Sequence, residues 1–477
     1  MISMGKKAFF PVLCTAFLFY SCVTTDKAVP PADTQEPGVA AVPGETDEFL
    51  PSEFAMEVSE KLDEGLFDEA LDLFEEIPPE YADDKGLNYL YASLLMSAGK
   101  VDQAEQAAVS LLEADPTNTD VLFLNTLIAK AGGDSSKKSV LLKEILEIDP
   151  ENADANAELG NEQMKKKNFL LARTYFQKSL ASAPDNSVAL TGYGQVNYYL
   201  GNFEESRNSF LRLQEVDPRN SLSWSYLAKL DAEDERYGSA AENMEKAIAL
   251  APAYYDYWID YGDYLRRIRR PGDAIDAWTE AIRIDGSYFL AYIYRGALYD
   301  ELQRYSEAAA DYRMAAKANP SYYFVYESLG ILLWKEKNWK ECRQAFYSAY
   351  EKNPSNISFI LMISACYEQE RNLQASKDFL SQAIKRVTRN SLEYYVARLY
   401  HDRNGDNDVL VRIGKEPDLN KKGKMLFYVA QYYQANGRED LANKYFLEIS
   451  LIQRPMFFEA RLAEWALADS GMQGIAD

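Results

Sequence analysis

GNFEESRNSFLRLQEVDP, residues 201–218, carries a small residue at Ser206 and a large one at Phe210 before Asp217-Pro218 stops the helix. The same endings recur every 34 residues. They are Asp115-Pro116, Asp149-Pro150, Ala183-Pro184, Asp217-Pro218, Ala251-Pro252, Asn319-Pro320 and Asn353-Pro354, with Asp285-Gly286 standing on phase where the proline is missing. A fixed period of this length means one supersecondary unit stacked many times, whose function resides on a stacked surface. With the proline set at position 32, units begin at 85, 119, 153, 187, 221, 255, 289, 323 and 357. Each reads as two apolar-periodic helices joined by a short polar turn.

Position 8, where the two helices cross, is small: Ala92, Gly160, Gly194, Ala228, Gly262, Gly296, Gly330 and Ser364. Position 20 faces it with Ala104, Ala172, Ser206, Ala240, Ala274, Ala308, Cys342 and Ser376. Large groups at position 24 (Phe176, Phe210, Met244, Trp278, Tyr312 and Phe346) fill the space around them. The unit at 119–152 departs, with Thr126 and Lys138 at the small positions. Small, large and proline positions recurring together resemble the tetratricopeptide repeat (TPR) family over about 400 residues. The resemblance implies an all-α, right-handed superhelical solenoid exceeding one turn, with about twelve helix-turn-helix units and a C-terminal capping helix.

The ends deviate. Residues 53–84 keep only GLFDEALDLF (65–74) and form a degenerate first repeat, and 85–390 hold the nine in-phase units. Residues 391–422 read as a shortened repeat interrupted by RNGDND (403–408), 423–456 recover the pattern, and 457–477 supply the capping helix and tail. At the other end, Lys6 and Lys7 precede an apolar run, Ala8 to Tyr20, then Ser21-Cys22. That order fits a secretory signal and resembles the lipobox of bacterial lipoproteins, spirochaetal ones included. The resemblance implies that residues 1–22 are the signal and that Cys22 is lipidated. Residues 23–52, rich in Pro, Thr and Glu, read as a disordered tether.

The formal charge of −23 disfavours nucleic acid as a partner. With four cysteines, no CxxC and the single His401, no metal site is expected, and no cofactor motif is present. Cys342 stands at a small-residue position and reads as an inert core thiol. His401 has no nucleophile signature nearby, so the chain is expected not to be an enzyme. Basic residues collect at the turns (Lys165 to Lys167, Arg266 to Arg270, Lys335 to Lys340) and would form an interrupted basic rim.

In the TPR family, first-helix positions 2, 5, 9 and 12 line the concave groove. Carried over, these are Gln195, Tyr198, Lys229, Asp263, Arg266, Ile293, Asp300, Glu327, Ile331 and Trp334, a mixed strip suited to an extended peptide or a partner helix. Position 5 holds no lysine in any unit, so the mode that clamps chaperone tails is not expected. The leading expectation is a lipid-anchored, non-enzymatic scaffold facing the periplasm of the bacterial envelope and binding envelope proteins in this groove. The alternatives are a transport accessory, partnering a solute-binding protein or carrying an apolar ligand, and a self-associating envelope component.

Overall fold

The structure, a computed structural model, describes residues 49–471. Cys22, the signal segment, nearly all of the 23–52 tether and the tail from residue 472 lie outside the described residues. The regular elements within 49–471 are all helical and divide into two compact units on either side of residue 250.

The first unit holds α1 (Pro51–Asp63) and α2 (Phe67–Asp72), then five pairs: α3 (Lys85–Ser97) with α4 (Val101–Ala114), α5 (Thr119–Ala131) with α6 (Ser135–Ile148), α7 (Ala153–Lys165) with α8 (Phe169–Ser182), α9 (Ser187–Leu200) with α10 (Phe203–Val216), and α11 (Ser221–Glu233) with α12 (Tyr237–Leu250). The second holds α13 (Tyr255–Arg267) with α14 (Pro271–Ile284), α15 (Phe289–Glu301) with α16 (Tyr305–Ala318), α17 (Phe324–Lys335) with α18 (Trp339–Lys352), and α19 (Ile357–Gln369) with α20 (Leu373–Ala383). It continues through α21 (Leu392–Asp402), α22 (Asp406–Gly414), α23 (Leu419–Ala435), α24 (Glu439–Ser450) and α25 (Glu459–Asp469).

Local chemistry explains the phasing. Asn118, Asn152, Asn186, Asn220 and Asn356 each cap the following helix by accepting from a backbone N–H of its first turn. At the other end of the first helix, one residue per unit adopts the left-handed conformation that reverses the chain. Glycine takes that place at 99, 133 and 201, and Lys167, Glu235, Arg269, Gln303, Lys337 and Arg371 take it elsewhere.

The small positions make room for rings. A Cβ on Gly262 would stand 2.3 Å from Trp278 Nε1, and one on Gly194 would stand 2.7 Å from the Phe210 ring. Trp278 is buried in that gap and donates from Nε1 to the Ile259 carbonyl at 3.2 Å. The departing unit closes by electrostatics. Lys138 is buried, with Nζ 2.7 Å from Glu158 Oε1 and 2.9 Å from Glu162 Oε1, while Lys130 reaches Glu158 Oε2 at 2.9 Å. Burial penalises both charges, but the ion pairs outweigh it: the Glu158 carboxyl is held below its ordinary range and the Lys138 ammonium above. Thr126 donates to the Leu122 carbonyl, so its hydroxyl is met inside the helix.

Three boundaries differ from expectation. Helix α1 starts at Pro51, inside the stretch assigned to the tether, because proline suits a first helical turn. The second helix of the degenerate repeat shrinks to six residues and a 3-10 turn, ending before Pro78-Pro79, where the helix cannot continue. Helix α23 begins at Leu419 and not at 423, since Asp418 caps it by accepting from Asn420 and Lys421 N–H. The RNGDND interruption is tied to its surroundings: Arg403 pairs with Glu368 and donates to Asn436 Oδ1 at 2.6 Å, and Tyr433 donates to Asp406 at 2.8 Å. Cys342 and Cys366 are free and buried, their sulfurs 3.4 Å apart; burial, then Cys366, pushes the Cys342 thiol well above its usual range.

Candidate functional site

In the first unit, Gln195 and Tyr198 are half-buried on α9, and Lys229 is half-buried on α11. The Tyr198 hydroxyl donates to Glu233 Oε1 at 2.9 Å, and its ring meets Tyr199, Phe203 and Tyr226 with centroids 5.5–5.9 Å apart. Tyr199 in turn stacks on Phe169 at 5.3 Å and remains 54% exposed. Lys229 Nζ lies 5.4 Å from the Tyr226 centroid. The rings therefore form an aromatic ladder, with Tyr226 at its buried base and Tyr199 exposed, bordered by one ammonium and one carboxylate. Tyr199, Phe169 and Tyr226 were missed from sequence, because positions 13, 17 and 6 are not among the family's groove positions.

The second unit treats its share of the strip differently. Asp263 is paired with Arg267 at 2.8 Å, Arg266 with Glu301, and Arg270 with Asp273 at 2.6 Å. This part of the expected basic rim is thus neutralised by local carboxylates. Ile293 is half-buried and packs on the core. From Asp300 onward the strip meets the chain's own last helix. Arg461 on α25 makes a two-pronged pair with Asp300, one arm at 2.8 Å. Arg461 also lies over the rings of Tyr305 and Trp465, at 5.5 and 4.4 Å. Lys335 and Lys337 reach Asp469 at 3.7 and 3.0 Å. Ile331 and Trp334 are buried, Ile331 in the same cluster as Leu462 and Ala463. These two expected contact residues are therefore covered: α25 reaches α17 on the Ile331 cluster, and the Trp334 ring is packed by Trp339 and Phe427, 4.9 and 6.5 Å away.

Glu327 and Glu459 place two carboxyls at the α17–α25 contact. Both are raised, chiefly by burial; Glu327 also feels Glu459, while Lys424, Ser358 and the hydroxyl of Tyr428 (2.7 Å) partly relieve Glu459. A carboxyl raised on folding contributes stability that is complete below its unfolded pKa and is lost as pH rises through its folded value. Seating of α25 is accordingly expected to weaken from mildly acidic to neutral pH. Glu459→Gln is expected to reduce that dependence. Hydrogen exchange of residues 459–469, corrected for intrinsic rates, checks both; equal protection across this range in the wild type would contradict the assignment.

One constellation was not foreseen. His401 Nδ1 lies 2.6 Å from Asp402 Oδ1, and His401 Nε2 lies 3.0 Å from Ser381 Oγ. The distances are those of a hydrolytic triad, but Ser381 sits within α20 and its hydroxyl donates to the Lys377 carbonyl at 2.8 Å. A hydroxyl proton spent on a helix carbonyl is not available to the imidazole. The Ser381 backbone N–H, inside the helix, also offers no oxyanion donor.

Tetratricopeptide repeat models match residues 61–130, 158–221, 194–255, 227–289 and 295–357, together more than half of the chain. The chain belongs to the tetratricopeptide repeat family. TPR folds are in general non-catalytic protein-interaction modules. A type IV pilus assembly protein, PilF of Pseudomonas aeruginosa, is 29% identical over 120 residues, 25% of this chain and 48% of its own. The chain thus spans about half the length of that relative. Among solved structures, P. aeruginosa PilF matches with a TM-score of 0.40 and 22% identity, over 45% of this chain and 96% of its own. YrrB, titled a TPR protein with an unusual peptide-binding site, matches with 0.34 and 16%, over 39% and 96%. At these identities the likeness concerns the fold alone. No helix among the described residues is long and apolar enough to cross a membrane.

Proposed function

We propose that this TPR protein is a non-enzymatic scaffold, lipid-anchored through Cys22 in the bacterial envelope, that holds envelope proteins on the concave first-helix strip. The observation that carries the reading is the seating of α25. Asp300 and Glu327, taken from family groove positions, are the groups that α25 meets in the second unit. Residues at these positions therefore suit a helix, and the corresponding positions of the first unit present Tyr198 and Lys229, with Tyr199 beside them 54% exposed. Trp334, being buried, is a poor probe of partner binding; Tyr198 and Lys229 are better ones.

Tyr198→Ala with Lys229→Ala is expected to lower recovery of cross-linked envelope partners on the order of tenfold, the effect of losing about 1.4 kcal/mol. The circular dichroism spectrum should not change. Recovery equal to wild type would remove the strip from the account. In parallel, Cys22→Ser is expected to abolish incorporation of labelled fatty acid; continued labelling would refute the anchor.

A further inference from the structure

Three of the chain's six tryptophans, Trp334, Trp339 and Trp465, converge with Gln369, Gln431 and Gln434 on one cavity of about 420 Å³ in the second unit. Helices α17, α18, α19 and α23, with the first residue of α24, supply one side and α25 the other. The volume lies near the lower end of the roughly 300–1,000 Å³ typical of small-ligand sites, too small for a length of folded partner.

The lining chemistry is specific. Trp334 and Trp339 meet edge to face, centroids 4.9 Å apart, giving a rigid indole corner. The glutamine hydrogen bonds within the lining are long: 3.4 Å from Gln369 Nε2 to Gln431 Oε1, and 3.5 Å from Gln434 Nε2 to Glu439 Oε2. Good amide bonds are about 2.9–3.0 Å, so these side chains keep donors and acceptors for a better partner. Gln431 is only 3% exposed, and burying an amide with one weak bond is costly unless a ligand or water meets it. The lining charges balance, Lys335 and Lys337 against Glu439 and Asp469, and both lysines lie within 4 Å of Asp469. An anion therefore gains little there.

Indole surface, amides able to donate and accept, and no net charge are together complementary to a neutral polyhydroxylated ring. We propose that this cavity binds a neutral saccharide of one or two rings, its C–H face against tryptophan and its hydroxyls on Gln369, Gln431 and Gln434. The site is separate from the first-unit strip, so its test does not depend on partner binding.

The test titrates the full chain with glucose, maltose, cellobiose, N-acetylglucosamine and its β-1,4 disaccharide. Glucuronate and adenosine serve as charged and aromatic competitors of the hypothesis, with calorimetry and tryptophan fluorescence as readouts. Saturable binding of at least one neutral sugar is expected, weakened about fivefold or more by Gln369→Ala and by Gln434→Ala, in keeping with loss of one hydrogen bond each. The two variants should keep the wild-type thermal midpoint, which separates site loss from unfolding. Absence of saturable sugar binding, tighter binding of glucuronate or adenosine, or sugar affinity unchanged in both variants would overturn the proposal.

Discussion

Trp278→Ala is expected to cost about 3–5 kcal/mol, and Gly262→Ala about 1–3 kcal/mol, yet the double variant should cost clearly less than their sum. The first opens a cavity where a buried indole stood and frees the Ile259 carbonyl from its hydrogen bond. The second drives a methyl to within 2.3 Å of Trp278 Nε1, which has no space to retreat. With the indole removed, the same methyl enters vacated volume. Urea unfolding followed by circular dichroism measures the cycle, and strict additivity would show that Gly262 and Trp278 do not share one packing site. The same pairing recurs at Gly194 with Phe210 and at Gly330 with Phe346, so the result extends to both units.

Lys138→Ala is expected to be about as damaging, at about 3–5 kcal/mol, because it strips a buried partner from Glu158 and Glu162. Lys138→Met with Glu158→Met should instead be near neutral or stabilising, since both desolvation costs leave together. The pH dependence has a definite sign. Glu158 is lowered on folding, so its contribution is present above its unfolded pKa and is lost as pH falls through its folded value. Lys138 is raised, so its contribution is complete below its unfolded pKa and fades only as pH rises through its folded value. Acid titration of stability should therefore show a step below the usual carboxylate range in the wild type that the double methionine variant lacks. An identical acid profile in the two would contradict the pairing.

The fold was legible because period, small positions and helix stops all repeat in phase. The nine first helices begin within one residue of the starts read from the prolines. Lys138 shows what a pattern alone misses: a charge at a small position looked like a packing fault, but its answer lay 20 residues on, at Glu158. The strip was legible only as a set of positions. Tyr198 and Lys229 remain at the surface of the first unit, whereas Ile331 and Trp334 are covered. The partner of Asp300, likewise from the strip, is decided by Arg461 at the far end of the chain, and no local periodicity reports a contact spanning 161 residues. Ser381 and His401 were likewise joined by the packing of α20 beside α21, invisible at a separation of 20 positions.

Site-specific photo-cross-linking in cells tests the scaffold reading most directly. A photoreactive residue is placed at Tyr199 on the aromatic ladder and, separately, at the exposed second-helix residue Leu211. The account predicts discrete adducts to envelope proteins from position 199 and none of the same adducts from position 211. Equal adducts from both positions, or none from position 199 when the protein is exported at its normal level, would contradict it.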